Sequence, residues 1–162
     1  MEAQKYPVST ADFERIRTEN YLYVDKTEYI HSLVTRGVFY FLSRPRRFGK
    51  SLLQSTLAAY FSGQRELFKG LAIDSLQPEP WETYPVLRLD LSGKAYTDSD
   101  SLTSLLDMQL QGWELKYGIK DTRKTVDERF AVLLHRITEL TGKKVVILID
   151  EYDSPLSETI GN

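Results

Sequence analysis

The sequence predicts an α/β fold in which helices cover a mostly parallel central sheet on both faces, a three-layer sandwich. Two runs of five apolar residues, 38–42 (VFYFL) and 145–149 (VVILI), are unbroken by polar side chains, as strands buried on both faces are. Segments with helical apolar spacing lie between them. Each run is followed by turn-forming and charged residues, SRPRRFGKS after the first and DEYD after the second.

Taken in order, residues 9–18 read as a short helix opened by a serine or threonine cap, and the tyrosine-rich stretch 20–24 as extended. A clearer helix begins at Asp25, whose carboxylate suits the first-turn amides, with Glu28 three residues on as in a capping box. Its apolar face is Tyr29, Ile30, Leu33 and Val34, and Gly37 supplies a left-handed terminus. The run 38–42 is then a buried strand. After the polar stretch 43–51, Leu52, Leu53, Thr56, Leu57, Tyr60 and Phe61 share one face of a helix that Gly63 closes. Residues 67–81 hold two prolines and read as an irregular connection with a short helix around Leu67 and Phe68. Residues 85–91 alternate as a second strand, ended by Ser92 and Gly93. Two helices follow. Leu102, Leu105, Leu106, Leu110, Trp113 and Tyr117 keep helical spacing, as do Val126, Phe130, Leu133, Leu134, Ile137 and Leu140, with Thr125 and Glu128 as another capping box. Gly142 ends the second, and 145–149 is the strongest strand signal in the chain.

At 162 residues the chain suits one compact domain, 1–162. Its composition, 41% hydrophobic and 27% charged, is that of a soluble globular protein and disfavours disordered and membrane classes. The absence of cysteine excludes disulfide scaffolds, thiolate metal sites and cysteine nucleophiles. His31 and His135 lie far apart in helical patterns and suit packing or a helix surface better than metal ligation. No run is long enough for a spanning helix and no signal-peptide layout is present, so no membrane is expected and a cytoplasmic location is. A net charge of −2 gives no global reason to expect nucleic acid.

A phosphate-binding loop needs a strand ending in a tight turn, inward-pointing amides, a lysine for the outer phosphates and a hydroxyl for magnesium. Gly49-Lys50-Ser51 supplies the last part, between the apolar run and a helix whose N-terminus carries partial positive charge. The loop spans 43–51, and Arg46, Arg47, Phe48, Gly49, Lys50, Ser51 and Leu52 are the candidate nucleotide contacts. In G-x-x-x-x-G-K-[ST] the first glycine falls at Arg44, followed here by Pro45, which restricts how the loop closes. Arg46 and Arg47 are placed to compensate by meeting phosphate; solvated loop charges are the plainer alternative.

A bare G-K-[ST] arises by chance in about one chain in ten of this length. Asp150 and Glu151 raise the odds, ending the strand segment 145–151, with Asp150 following Lys50 by 100 residues. A strand-end aspartate can hold magnesium through its water shell beside Ser51, and the next glutamate can polarise the attacking water. The metal candidates are thus Ser51 and Asp150, and the catalytic candidate is Glu151. In the bland alternative, Asp150 caps a strand and Glu151 is a surface charge. Lys26 and Thr27 are candidates for a place near the nucleotide, though a capped helix start explains them more simply. Asp153 is a candidate support for the metal site, with a turn before Ser154-Pro155 as the alternative. Tyr21, Tyr23 and Tyr152 are candidates to stack on adenine, though aromatic residues at such positions more often pack.

The segments Tyr23-Val24-Asp25-Lys26-Thr27, SRPRRFGKSL from Ser43 to Leu52, Tyr84 to Leu91 and Ile149-Asp150-Glu151-Tyr152-Asp153 together resemble the bacterial AAA-ATPase-like family, over nearly the whole chain. In that family the arginine-rich loop is the usual form of the phosphate loop, so Arg44 for glycine is the family's own variant. The resemblance implies ATP and Mg²⁺ as cofactors, with Lys50, Ser51 and Asp150 in the roles above and Glu151 as hydrolytic base. It also implies a longer protein, often with a C-terminal PD-(D/E)XK nuclease-like domain, through which nucleic acid becomes a partner; a homo-oligomer is a further expectation. A strand carrying a polar sensor residue belongs after Asp150 in such ATPases, so an N-terminal fragment with an incomplete sheet is expected. Magnesium-dependent hydrolysis of ATP to ADP and phosphate in the full-length protein is the leading expectation. An ATP-binding switch without appreciable hydrolysis is the alternative. A third reading makes Arg44, Arg46, Arg47 and Lys50 a nucleic-acid phosphate site.

Overall fold

The computed structural model of the protein describes residues 4–45, 47–77, 80–92, 99–120 and 125–154. The chain divides into two compact units, Met1–Thr83 and Tyr84–Asn162.

The first unit is helical. Helix α1 (Phe13–Thr18) is capped by Asp12, whose carboxylate accepts from the Arg15 amide at 3.3 Å, so it starts later than expected and on an aspartate. Helix α2 (Thr27–Arg36) follows, then α3 (Lys50–Phe61), a 3₁₀ turn at Arg65–Phe68 and α4 (Ala72–Leu76). The expected short helix around Leu67 and Phe68 is that 3₁₀ turn. One cluster of Phe13, Ile30, Ala59, Tyr60, Phe68 and Ile73 forms the core. Phe68 is fully buried, with ring centroids 4.9 Å from Phe13 and 5.1 Å from Trp81, so aromatic contacts dominate its cohesion. Gly63 takes the left-handed conformation expected at the end of α3, at φ +73°.

Other expectations fail in this unit. Helix α2 begins at Thr27 with Lys26 as its N-cap and no side-chain capping bond, so the expected box of Asp25 and Glu28 does not form. The stretch 67–81, expected to be irregular beyond one short helix, also holds α4. Residues 38–42 form neither helix nor strand and are exposed, Phe39 to 94%. An unbroken apolar run states a demand for burial and does not supply the neighbouring strands that would meet it. Gly37 is extended at φ −165°, not left-handed. A side chain there would meet a neighbour instead: a Cβ would lie 2.8 Å from the Tyr40 hydroxyl, which would have to move.

The second unit is α/β. Strand β1 (Val86–Asp90) is joined through helices α5 (Ser99–Lys116) and α6 (Val126–Thr141) to strand β2 (Val146–Asp150). The strands pair in parallel, from Val86 with Val146 to Asp90 with Asp150. Leu87, Leu110, Leu133 and Ile137 make the core, flanked by Trp113, Tyr117, Phe130 and Val145. Between the helices, Arg129 donates Nε and Nη2 to Glu114 at 2.9 and 2.7 Å and Nη1 to Asp107, a forked pairing that raises the guanidinium pKa through its hydrogen bonds to Glu114 first and Asp107 second.

Gly142 ends α6 at φ +66° as expected. Thr125 is its N-cap, but the side chain makes no capping bond, so the expected box with Glu128 does not form; Asp127 and Glu128 instead place negative charge at the positive helix end. Among the described residues the sheet has two strands. The architecture is therefore α/β with a parallel ladder, short of a complete three-layer sandwich. Nor is β2 buried on both faces: its exposure alternates, with Ile147 and Ile149 exposed. Gly93 lies outside the described residues. No helix among them is long and apolar enough to cross a membrane.

Candidate functional site

In the first unit the candidate loop runs directly into α3. Two left-handed residues bracket Phe48, Arg47 at φ +67° and Gly49 at φ +77°. Changes of hand along a short stretch of backbone make the amide concavities that bind anions. A left-handed arginine costs on the order of 1–2 kcal/mol, and such strain concentrates at functional loops. At Gly49 a Cβ would meet nothing within 4 Å, so its positive φ alone calls for glycine.

Gly49 is the N-cap of α3, with the Leu53 amide bonded to its carbonyl at 2.9 Å, and has no side chain to occupy the first-turn amides. Lys50 and Ser51 are the first two residues of the helix, both half-buried, and its first turn holds no acidic residue. A lysine thus opens the helix at its positive end, three and six residues after the exposed Arg47 and Arg44. Phe48 is 62% exposed. Leu52, also a predicted contact, packs partly against the core. Arg46 lies outside the described residues.

In the second unit Asp150 is the last residue of β2. Its Oδ1 accepts from the Glu151 amide at 3.0 Å, and Glu151 is left-handed at φ +51°. The Ser154 amide returns to the Glu151 carbonyl at 2.9 Å, so Asp153 sits in a turn, as its position before Ser154 suggested. Sequence reasoning missed Asp90, which ends β1 in register with Asp150. Its carboxylate accepts from the Ser92 amide at 2.8 Å, while Gln109 donates Nε2 to the Asp90 carbonyl at 2.7 Å and accepts from its amide at 3.2 Å. The signal was available: both strands are five residues ending in aspartate, and parallel sheets bind ligands at their carboxyl ends.

Among the described residues no three histidine or carboxylate side chains gather to hold a metal. Nucleotide-borne magnesium does not need such a cage, because one or two protein oxygens complete a shell of phosphate and water. The Ser51 hydroxyl and the Asp150 carboxylate are hard oxygen donors of the right kind. Tyr23 and Thr27 serve packing and fold: Tyr23 packs on the first core and Thr27 is fully buried.

A family model described as predicted AAA-ATPase matches residues 7–162. The chain is also similar to an uncharacterized protein in the vnfD 5′ region of Azotobacter chroococcum mcd 1, at 37% identity over 164 residues, covering 99% of this chain and 31% of that protein. It thus spans about a third of the length of that relative. No solved structure matches.

Proposed function

The chain belongs to the AAA-ATPase-like family, and from that premise we propose that it binds magnesium-ATP through the loop 43–51 and that the longer protein hydrolyses it to ADP and phosphate. The observation that carries the reading is the backbone of Arg47 and Gly49, which turns the chain into the start of a twelve-residue helix with Lys50 and Ser51 in its first turn. In this reading Lys50 Nζ meets the outer phosphates, Arg46 and Arg47 supply further positive charge, and Phe48 and Leu52 flank the loop. The Ser51 hydroxyl and the Asp150 carboxylate are each oxygen donors that would serve magnesium, and the ion would neutralise charge on the phosphates. The Glu151 carboxylate orients water and takes its proton. Partners beyond ATP, including a second copy and nucleic acid bound through a nuclease-like domain, and a cytoplasmic location belong to this proposal for the longer protein.

Glu151→Gln separates binding from chemistry, since the amide keeps the shape and loses the base. The variant in the full-length protein is expected to bind magnesium-ATP within about twofold of wild type and to lose at least about a hundredfold in single-turnover hydrolysis. Unchanged turnover would remove Glu151 from its role. A second reading, binding without turnover, is favoured by the engagement of Asp150 Oδ1 with the Glu151 amide. Single-turnover hydrolysis by the wild-type chain excludes it.

A further inference from the structure

The phosphate loop has two ends, and they are anchored differently. Its C-terminal end is α3, whose Ser55 Oγ accepts from the Phe13 amide at 2.9 Å and whose Tyr60 lies in the aromatic core. Its N-terminal end is the segment 38–42, which is tied to α2: the Tyr40 hydroxyl donates to the Leu33 carbonyl at 2.6 Å. The position of the loop's start therefore depends on what holds α2.

What holds α2 is a joint at its first residue. Asp25 Oδ1 accepts from both the amide and the hydroxyl of Thr27, at 2.9 and 2.7 Å, and Oδ2 accepts from the Ala72 amide at 2.7 Å. The Thr27 hydroxyl in turn accepts from the Ile73 amide at 3.1 Å, in a side chain with no solvent exposure. Every polar atom of the joint is thereby used, so the pair fixes α2 to α4 with little slack. Helix α4 is fixed to α3, because Ile73 shares the core with Tyr60 and the Tyr60 hydroxyl donates to Gln77 Oε1 at 2.8 Å. Two residues before the joint, Tyr23 stacks edge-on against Phe13 at 5.2 Å and its hydroxyl interacts with Thr56 of α3.

We propose that Tyr23-Val24-Asp25-Lys26-Thr27 is a positioning strap for the phosphate loop, in which the joint between exposed Asp25 and buried Thr27 sets where the arginine-bearing arm starts relative to the N-terminus of α3. The contacts close a ring: α3 to α4 through the core, α4 to α2 through the joint, α2 to the loop through Tyr40, and the loop back to α3. This rests on the reading of residues 43–51 as the ATP-binding loop. Asp25 and Thr27 touch no ligand in it; they act through α2. A joint serving fold stability alone would lower the melting temperature and leave the affinity of the folded protein unchanged.

The test is magnesium-ATP calorimetry on the full-length protein, at a temperature where circular dichroism shows each variant folded. Thr27→Val keeps the shape and removes the hydroxyl; it is expected to weaken binding roughly tenfold, as misplacement of a site by a fraction of an ångström does. Thr27→Ser restores the hydroxyl and is expected to bind within about threefold of wild type. Asp25→Asn, which presents an NH₂ group to one of the donors, is expected to weaken binding by a similar factor and serves if Thr27→Val does not fold. Wild-type affinity in folded Thr27→Val or Asp25→Asn overturns the strap, provided Lys50→Ala binds weakly. Wild-type affinity in Lys50→Ala overturns the ATP-site reading itself, and the strap falls with it.

Discussion

In Met1–Thr83 the elements are joined by side chains that reach across long stretches of sequence. Ser55 accepts from Phe13 over 42 residues, Thr27 from Ile73 over 46, and Arg17 donates to the Leu67 and Lys69 carbonyls over 50 and 52. In Tyr84–Asn162 the connection longest in sequence is a backbone ladder, parallel from Val86 and Val146 to Asp90 and Asp150. An apolar seam and the Arg129 fork between α5 and α6, and Gln109 bonded to Asp90, are shorter-range side-chain joints. A ladder survives most side-chain changes because every residue brings its own amide and carbonyl. A side-chain joint gathers the connection into a few atoms, so one substitution can move a whole helix. The unit carrying the phosphate loop is built in the second way.

The largest expected contrast lies in the cores. Phe68→Ala removes a fully buried ring and should destabilise the protein by about 3–5 kcal/mol. Ile149→Ala, on the exposed side of β2, should cost about 1 kcal/mol or less. Urea unfolding of both variants checks this, and equal losses would break the contrast.

A smaller effect is expected at Gly37. Alanine is conformationally acceptable at φ −165°, but its methyl would displace the Tyr40 hydroxyl, the far end of an exposed side chain, so Gly37→Ala should cost about 1 kcal/mol or less. Adding Tyr40→Ala should make the Gly37→Ala step nearly neutral in thermal melts. A double-mutant cycle with no coupling would show that the glycine serves some other purpose.

The smallest effect is a pH dependence. Burial works to raise the Asp25 carboxyl, but hydrogen bonds from the Thr27 and Ala72 amides and the Thr27 hydroxyl, with Arg17 nearby, outweigh it and hold the group below its ordinary value. A carboxyl depressed by folding stabilises the native state above its unfolded pKa and loses that contribution as pH falls through the folded value. Between about pH 5 and pH 3 the wild-type melting temperature should fall more steeply than that of Asp25→Asn. Parallel slopes would mean that Asp25 is not held in this way.

The same contrast explains what could be read in the sequence. Helices α5 and α6 and both strands were legible, because spacing and alternation encode a local amphipathic face. A helix following Gly49-Lys50-Ser51 was legible, although α3 itself takes in Lys50 and Ser51, and Gly63 and Gly142 were legible as helix ends. The run 38–42 was misread because burial on two faces depends on neighbours that no local pattern contains. Gly37 was misread because its own backbone is extended and its neighbour is the Tyr40 side chain three residues on. Asp25 was rightly seen to meet backbone amides, but its bond to Ala72 and that of Thr27 to Ile73 are long-range contacts, invisible to any period.

Calorimetry of magnesium-ATP with the intact protein and with Lys50→Ala bears most directly on the central claim. Loss of a lysine meeting phosphate should remove about 1.5–3 kcal/mol, a roughly ten- to hundredfold weaker dissociation constant, measured at a temperature where both proteins are folded. Equal affinity in the two proteins, or no heat of binding in the wild type, would contradict it.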